Sequence, residues 1–406
     1  MAKDKGLTIS ALMIGPPRVG KSSVLASMLR SLARVYDETG VTFVPDKTTN
    51  LLMRDKLADL EKIYKLYGRD AEFMTQSGME GSEAYAASTE ERTSYRFGLN
   101  IQAVQKEEFQ GHVCDVEFTD IRGEDLTEQQ TDVVRRIQES SIIIVAIDSV
   151  ALMEYDDYGG SHNDLLNYPA QIHKIVKKAY TQAEKHDPQL VLLVPLKCEK
   201  YYWQPGGMER VNARVKTAYK SLLTFLEAND TFSVAITPIL TLGDVQFSRF
   251  ADDGSYSPMY RFRTTDESGN AHTPVYSPKF CDQPLFYIAA YILTVMGLMN
   301  ARMDVNGKGR KADAGKRKTK AELFKAIAPR VIAYAFGGVL GWGAYELIRK
   351  RLQKPETKFK LAELARKIKL EGDGYEMILD SLNMRVQIQE IYAQAKKNST
   401  VNKGGK

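Results

Sequence analysis

The stretch Gly15-Pro16-Pro17-Arg18-Val19-Gly20-Lys21-Ser22 constrains this chain more than any other. It reads G-x-x-x-x-G-K-S, and its flanks decide what the pattern means. "LTISALMIG" ahead of it is a short apolar, β-prone run suited to a buried strand. "KSSVLASMLRSLARVY" behind it places Val24, Leu25, Met28, Leu29 and Leu32 at helical spacing. Strand, glycine-rich turn and helix form the setting in which such a loop cradles phosphates. Successive backbone N–H groups point inward at a β-phosphate, and the helix dipole adds to their pull. Lys21 then reaches the β and γ oxygens, and the Ser22 hydroxyl coordinates Mg²⁺. Pro16 and Pro17 carry no N–H, so the donors come from the later residues, Arg18 to Ser22, and the prolines stiffen the loop. Gly15 to Ser23 are therefore the expected phosphate-loop residues.

The 406 residues are 43% hydrophobic and 26% charged, a globular composition that allows one large or two modest domains. Cys114, Cys198 and Cys281 have no pairing or metal-ligand spacing, so neither a disulfide frame nor a metal site follows from them. "MAKDKGLTIS" lacks an apolar signal core, which gives the expectation of a cytoplasmic protein. The net charge of +5 hides an asymmetry. Asp304 to Lys406 holds 23 Lys+Arg against 11 Asp+Glu, whereas residues 1–303 hold 33 against 40. An acidic body carrying a basic tail points to an anionic partner. "MDVNGKGRKADAGKRKTK", residues 303–320, has no apolar periodicity and reads as a basic linker.

"HVCDVEFTDIRGEDL", residues 112–126, alternates through Cys114, Val116 and Phe118 up to Asp120. "SYRFGLNIQAV" alternates through Tyr95, Phe97, Leu99 and Ile101, and the polar "QKEEFQGH" joins the two. This reads as an antiparallel hairpin. Asp120-Ile121-Arg122-Gly123 matches D-x-x-G, the switch II element of the translation-factor-related (TRAFAC) class of GTPases that includes Ras, dynamin and the guanylate-binding proteins. The continuation "DIRGED" resembles bacterial GTPase-like members of that class. The resemblance covers roughly residues 7–302. It implies an α/β, Ras-like P-loop NTPase domain with a mostly parallel central sheet and one antiparallel edge hairpin. It also implies that Asp120 holds Mg²⁺ through water, that the Gly123 N–H senses the γ-phosphate, and that Glu124 stands where Ras-like proteins position the attacking water.

"SIIIVAIDSV" reads as a buried parallel strand, "PAQIHKIVKKAYTQAEK" as a helix, and "QLVLLVPLKCEK" as another buried strand. The last ends where the class has its base-recognition tetrad N-K-x-D. Here the tetrad is Leu196-Lys197-Cys198-Glu199. The resemblance implies that the Lys197 stem lies over the purine and that the Glu199 carboxylate accepts from guanine. Leu196 cannot replace the Asn that tethers this loop to the phosphate loop in the class. GTP or GDP is the expected nucleotide, with ATP or loose base specificity as the alternative. "FSVAITPILTLGD" reads as the last core strand, leading into a base-contacting loop at Thr241–Gly243, and "CDQPLFYIAAYILTVMGLMNARM" as a closing helix. Residues 244–280 read as an insertion with a hairpin about "ESGN".

Switch I must supply a threonine for Mg²⁺ just before the first hairpin strand, which leaves Thr89, the preferred choice, and Thr93. Residues 38–88, with the helical "LLMRDKLADLEKIYKLY", make this switch region longer than that of a small GTPase. Arg18 takes the loop position where guanylate-binding proteins carry an arginine acting in cis. Such an arginine contributes on the order of 10³–10⁵ in rate. The plain alternative is a pairing with an acidic neighbour such as Asp125. Glu124 beside the γ-phosphate needs an offsetting cation, from Arg18 or Arg122, so slow hydrolysis is expected. Lys21, Arg18 and Glu124 are the expected catalytic residues, and Ser22, Thr89 and Asp120 the expected Mg²⁺ ligands.

Residues 321–406 read as a helical, basic tail. Its segment 331–348 contains only Glu346 as a charged residue, with Gly337, Gly338, Gly341 and Gly343 along it. It is short for a span of about 20 apolar residues. Membrane insertion, packing on the body and oligomer contact all remain open, and the basic flanks of 321–354 favour an anionic membrane surface. Two amphipathic stretches after it read as protein-contacting. Nucleic acid is the weaker partner, because the tail lacks interleaved aromatics. The expected function is a GTP-dependent switch placed by its tail at a membrane or protein partner. The rivals are a non-hydrolysing nucleotide-stabilised scaffold and a P-loop ATPase.

Overall fold

The computed structural model describes residues 8–39, 41–67, 71–74, 93–102, 110–154, 162–184, 187–229, 231–251, 258–266, 268–285, 287–289, 291–292 and 376–379. In chain order its elements begin with β1 (Thr8–Ile14), α1 (Lys21–Thr39), β2 (Val41–Pro45), α2 (Lys47–Leu66), β3 (Glu72–Met74), β4 (Thr93–Gln102) and β5 (Gln110–Asp120). There follow α3 (Asp125–Glu128), α4 (Gln130–Glu139), β6 (Ile142–Asp148), α5 (Ser149–Met153), α6 (Asn163–Leu166), α7 (Pro169–Gln182) and β7 (Gln189–Leu196). The series ends with α8 (Glu199–Tyr202), α9 (Gly207–Ala218), α10 (Lys220–Glu227), β8 (Phe232–Ile236), β9 (Val245–Phe250), β10 (Pro258–Phe262) and β11 (Glu376–Leu379).

The main sheet has the order β11-β8-β7-β6-β1-β5-β4-β2. From β8 to β5 every pairing is parallel, and the inner strands β6, β7 and β8 are covered on both faces and read as continuous apolar runs. Six of the seven β6 residues are buried, and seven of the eight in β7. Leu12, Ile14, Ile143, Val145, Val191, Leu193, Val234 and Ile236 form one face of the core. Val133 and Ile137 of α4, Ile172 and Val176 of α7, and Leu222 and Leu226 of α10 complete it. Burying each such side chain contributes roughly 1.5–3 kcal/mol. The result is a mixed α/β fold with a phosphate loop between β1 and α1, consistent with a P-loop GTPase-like architecture.

The expected hairpin forms as β4 and β5, with Asp120 at the far end. It is not at the edge of the sheet. β2 pairs antiparallel outside β4, with Phe43 buried and Pro45 closing the strand. Proline is tolerated there because an edge strand can do without one N–H. Asp46 then caps α2 by accepting from the Thr49 N–H at 2.7 Å, so the expected insert helix starts directly after this strand. A second departure lies in the two insertions. β3 belongs to the first and β9 and β10 to the second, and they join in one three-stranded sheet of order β3-β10-β9. The turn about Gly269 is tight, with the Asp266 carboxylate accepting from the Ser268 and Asn270 N–H groups. It is closed by a single bridge, Thr265 to Ala271, with the strands lying upstream.

Residues 283–285, 287–289 and 291–292 are helical, as expected for the closing helix. The linker 303–320 and the segment 331–348 lie outside the described residues, as does the rest of the tail apart from 376–379. There β11 runs antiparallel to β8, a strand between the two stretches read as helical. Among the described residues no helix is long and apolar enough to cross a membrane.

Candidate functional site

The phosphate loop leaves β1 through Gly15, whose φ of +154° brings it against β6. A Cβ there would lie 2.7 Å from the Ala146 carbonyl oxygen. Arg18 and Gly20 take φ of +59° and +107°, which turns the backbone inward before α1 begins. Val19 is buried behind the loop, and the Val24 N–H donates to the Gly20 carbonyl to open the helix. Lys21 is 7% exposed and donates to the carbonyls of Gly15 (3.2 Å) and Pro16 (3.1 Å), so it lies along the loop it serves. Burial lowers its pKa, against the charges of Asp120, Glu124 and Asp125. Ser22 and Ser23 are half-buried at the start of α1, and Arg18 is exposed.

Two of the three expected Mg²⁺ ligands, Ser22 and Asp120, lie together. The Ser22 hydroxyl donates to Asp120 Oδ2 at 2.6 Å. Asp120 is 0% exposed, and its Oδ1 is buried without a hydrogen-bond partner among the described residues. Burial raises its pKa, while Lys21, the Ser22 bond and Lys56 oppose the rise. A buried acceptor without a donor is unfavourable unless something enters to meet it. One hydroxyl and one carboxylate facing an incoming polyphosphate fit Mg²⁺, which takes few protein ligands. Thr89 lies outside the described residues. Thr93, its alternative, is the first residue of β4 and the cross-strand partner of Asp120.

The expected switch II segment packs onto the loop. A Cβ on Gly123 would fall 2.0 Å from the Pro17 nitrogen and 2.4 Å from the Pro16 carbonyl carbon, so only glycine fits against the two prolines. Arg122 donates from Nε (3.1 Å) and Nη2 (2.9 Å) to Asp125 Oδ1 and lies 3.7 Å from Glu128. Asp125 is thus engaged by Arg122. Glu124 is half-buried just before α3, close enough for its charge to act on Lys21.

At the base end the tetrad residues face the protein. Leu196 and Cys198 are buried, with the Cys198 thiol 3.1 Å from the Ser149 hydroxyl. Lys197, at φ +61°, pairs with Asp148 Oδ2 at 2.5 Å and donates to the Arg18 carbonyl at 3.4 Å. Burial is the largest influence and opposes its charge, but Asp148 and Tyr260 together outweigh burial and hold the pKa above its ordinary value. Asp148 also caps α5 by accepting from Val150 and Ala151. Lys197 therefore links the tetrad to the phosphate loop, where Leu196 offers no polar group. Glu199 is 2% exposed, and its Oε1 accepts from the N–H groups of Leu242 (2.8 Å) and Gly243 (3.4 Å) and from the Thr241 hydroxyl (3.4 Å). Burial raises its pKa against these bonds. The loop at 241–243 is held further by the Tyr64 hydroxyl, which donates to the Leu242 carbonyl at 2.8 Å.

Sequence reasoning missed Asp148, Tyr64 and Tyr95. Asp148 had a readable signal, an Asp ending a buried strand ahead of a helical turn. Tyr95 is buried beside Ser22 and Asp120, and burial first, then Asp120, pushes its pKa up to about 12. Tyr64 stands on the insert helix, and nothing local says which way that helix faces.

No family model and no curated relative matches the chain. Among solved structures, the chain is similar to the S. cerevisiae Ski7 GTPase-like domain bound to GTP and to the same domain bound to GDP and inorganic phosphate. Each comparison has a TM-score of 0.32 and 12% identity, and covers 57% of this chain and 43% of the neighbour. The match thus spans less than half the length of those neighbours.

Proposed function

We propose that the chain binds a guanine nucleotide with Mg²⁺ and hydrolyses the triphosphate slowly, acting as a switch that its tail directs to a membrane or protein partner. The observation that carries this reading is the Ser22–Asp120 pair at 2.6 Å, with a buried, unpartnered Asp120 Oδ1 beside Lys21. Mg²⁺, when bound, offsets phosphate charge. Lys21 and the loop N–H groups bind the β and γ oxygens, and the Gly123 backbone meets the γ-phosphate where switch II abuts the loop. Glu124 orients water through a hydrogen bond, and Arg18, on the same loop, is the cation placed to act on the γ-phosphate. Arg122 is engaged with Asp125 in this state, which leaves catalysis underpowered and supports slow turnover. Tail attachment rests on the charge of residues 304–406.

A second reading, relaxed base specificity with ATP accepted, is favoured by the burial of Glu199 against its own loop. Fluorescent GTP and ATP analogues titrated with Mg²⁺, with Lys21→Ala as the blank, separate the two. A GTP preference above about tenfold, or 1.4 kcal/mol, supports the guanine switch; equal affinities support the relaxed site. No binding above the blank would sink both. Single-turnover hydrolysis distinguishes the switch from a non-hydrolysing scaffold.

A further inference from the structure

Leu242 lies in the loop that follows β8, and its backbone is held from three directions. Its N–H donates to Glu199 Oε1 at 2.8 Å, just beyond the end of β7. Its carbonyl accepts from the Ser277 N–H at 3.1 Å and from the Tyr64 hydroxyl at 2.8 Å. Ser277 belongs to the second insertion and Tyr64 to the first, so each insertion gives one bond to the same oxygen. A half-buried loop carbonyl is satisfied by one donor, and this one has two. The neighbouring Thr241 carbonyl accepts from the Ser27 hydroxyl of α1 at 3.4 Å.

The place of this loop supplies a reason for fixing it so firmly. In an open α/β sheet, ligands bind beyond the carboxyl ends of the parallel strands. The phosphate loop occupies that end of β1, and Asp120 and Gly123 occupy it on the β5 side. The rest of a nucleotide therefore extends the other way, past β6 towards the ends of β7 and β8. Lys197 joins the end of β7 to the Arg18 carbonyl at 3.4 Å, and Glu199 joins it to the loop at 241–243.

Tyr64 reaches that loop from a fixed support. Its helix α2 has 20 residues, a length of about 30 Å. The far end is fastened to β4, where the Arg96 N–H donates to Thr49 Oγ1 at 2.7 Å and the Asp46 N–H to the Arg96 carbonyl at 3.0 Å. At the near end the Tyr64 ring packs on Phe262, with centroids 5.1 Å apart. Burial raises the Tyr64 pKa, and the charges of Glu199 and Asp244 add to the rise, so the hydroxyl keeps the proton it donates.

We propose that Tyr64 is a positioning residue for the nucleoside end of the site, holding the Leu242 carbonyl so that the loop at 241–243 is set against the base. The inference rests on the nucleotide-site reading above and extends it to a side chain outside the phosphate loop, switch II and the tetrad. A tyrosine that only stabilised the fold would affect a base-bearing and a baseless polyphosphate alike.

The test uses the full chain as wild type and as Tyr64→Phe, which keeps the ring and leaves Leu242 its bond from Ser277. A non-hydrolysable GTP analogue and inorganic tripolyphosphate, each with saturating Mg²⁺, are titrated calorimetrically. Tyr64→Phe is expected to weaken the GTP analogue roughly fivefold, as the loss of one hydrogen bond does, and to leave tripolyphosphate within about twofold. Far-UV circular dichroism checks the fold, and should Tyr64→Phe fail to fold, Tyr64→Leu is read by the same ratio. Equal losses for both ligands, or no loss for either, overturn this inference alone. A wild-type chain that binds the two equally well also overturns it, since no base is then read. A wild-type chain that binds neither would overturn the site reading itself.

Discussion

A methyl group on Gly123 would sit inside the van der Waals envelope of both loop prolines, 2.0 Å from one nitrogen and 2.4 Å from a carbonyl carbon. Those atoms are backbone and ring, so they cannot swing away as a flexible side chain would. Gly123→Ala is therefore expected to destabilise the fold by about 1–3 kcal/mol, as overpacking does, read as a lowered urea midpoint at unchanged slope. Glu199 offers a test of a different kind. Its folded pKa is raised by burial, so over a window above the unfolded glutamate value the folded state holds the proton longer than the unfolded one. Its stability contribution is full below the unfolded pKa and is lost as pH rises through the folded pKa. Glu199→Gln keeps an oxygen for the Leu242 N–H and cannot ionise. The difference in unfolding free energy between wild type and Glu199→Gln, measured between pH 4 and 8, should shift in the variant's favour with rising pH. A flat difference would show that the carboxylate is solvated after all.

The elements that were legible in the sequence are those whose signal is local. The phosphate loop is a contiguous pattern between an apolar run and a periodic helix, and β4 and β5 alternate cleanly up to Asp120. β6, β7 and β8 are apolar runs bounded by polar turns. The small sheet was not legible, since β3 is three residues long and pairs with β10 some 185 positions away. Short strands carry too few periods to declare themselves, and long-range pairing leaves no local trace. The same limit hid Tyr64 and the inward turn of Glu199, because each depends on what a distant element brings alongside. That joint should be strong. Phe73 is buried, its ring stacks on Tyr67 at 4.2 Å and meets Phe262 at 4.9 Å, and Arg249 bonds Glu72 at 3.0 Å on the rim. Phe73→Ala is expected to cost about 3–5 kcal/mol, and hydrogen exchange should quicken at 72–74 and 258–262 while β6 and β7 stay protected. Uniform quickening would mean that the two insertions are not a separate cooperative unit. Because Tyr64 also bonds the Leu242 carbonyl, the joint ties the insert helix to the loop at 241–243.

Across the whole molecule the charge is divided, an acidic stretch up to residue 303 and a basic one beyond it. If the tail meets an anionic bilayer, the attraction must be electrostatic in origin, falling as salt rises and as basic residues are removed. Arg349, Lys350 and Arg351 directly follow the apolar segment 331–348, where a juxtamembrane cluster has its greatest effect. Each basic residue near such a surface contributes about 1 kcal/mol. The combined Arg349→Gln, Lys350→Gln and Arg351→Gln variant should therefore lose roughly hundredfold in partitioning to phosphatidylserine vesicles at low salt, on the same principle. The proposed nucleotide binding, assigned to the loop and Asp120 and not to the tail, should not change. Sedimentation with vesicles of rising phosphatidylserine content reads the first, and the fluorescent-nucleotide titration reads the second. Equal partitioning of variant and wild type would move the tail's role to a protein partner. Its apolar segment would then face a surface of this chain or of another, and the basic flanks would be left to solvent.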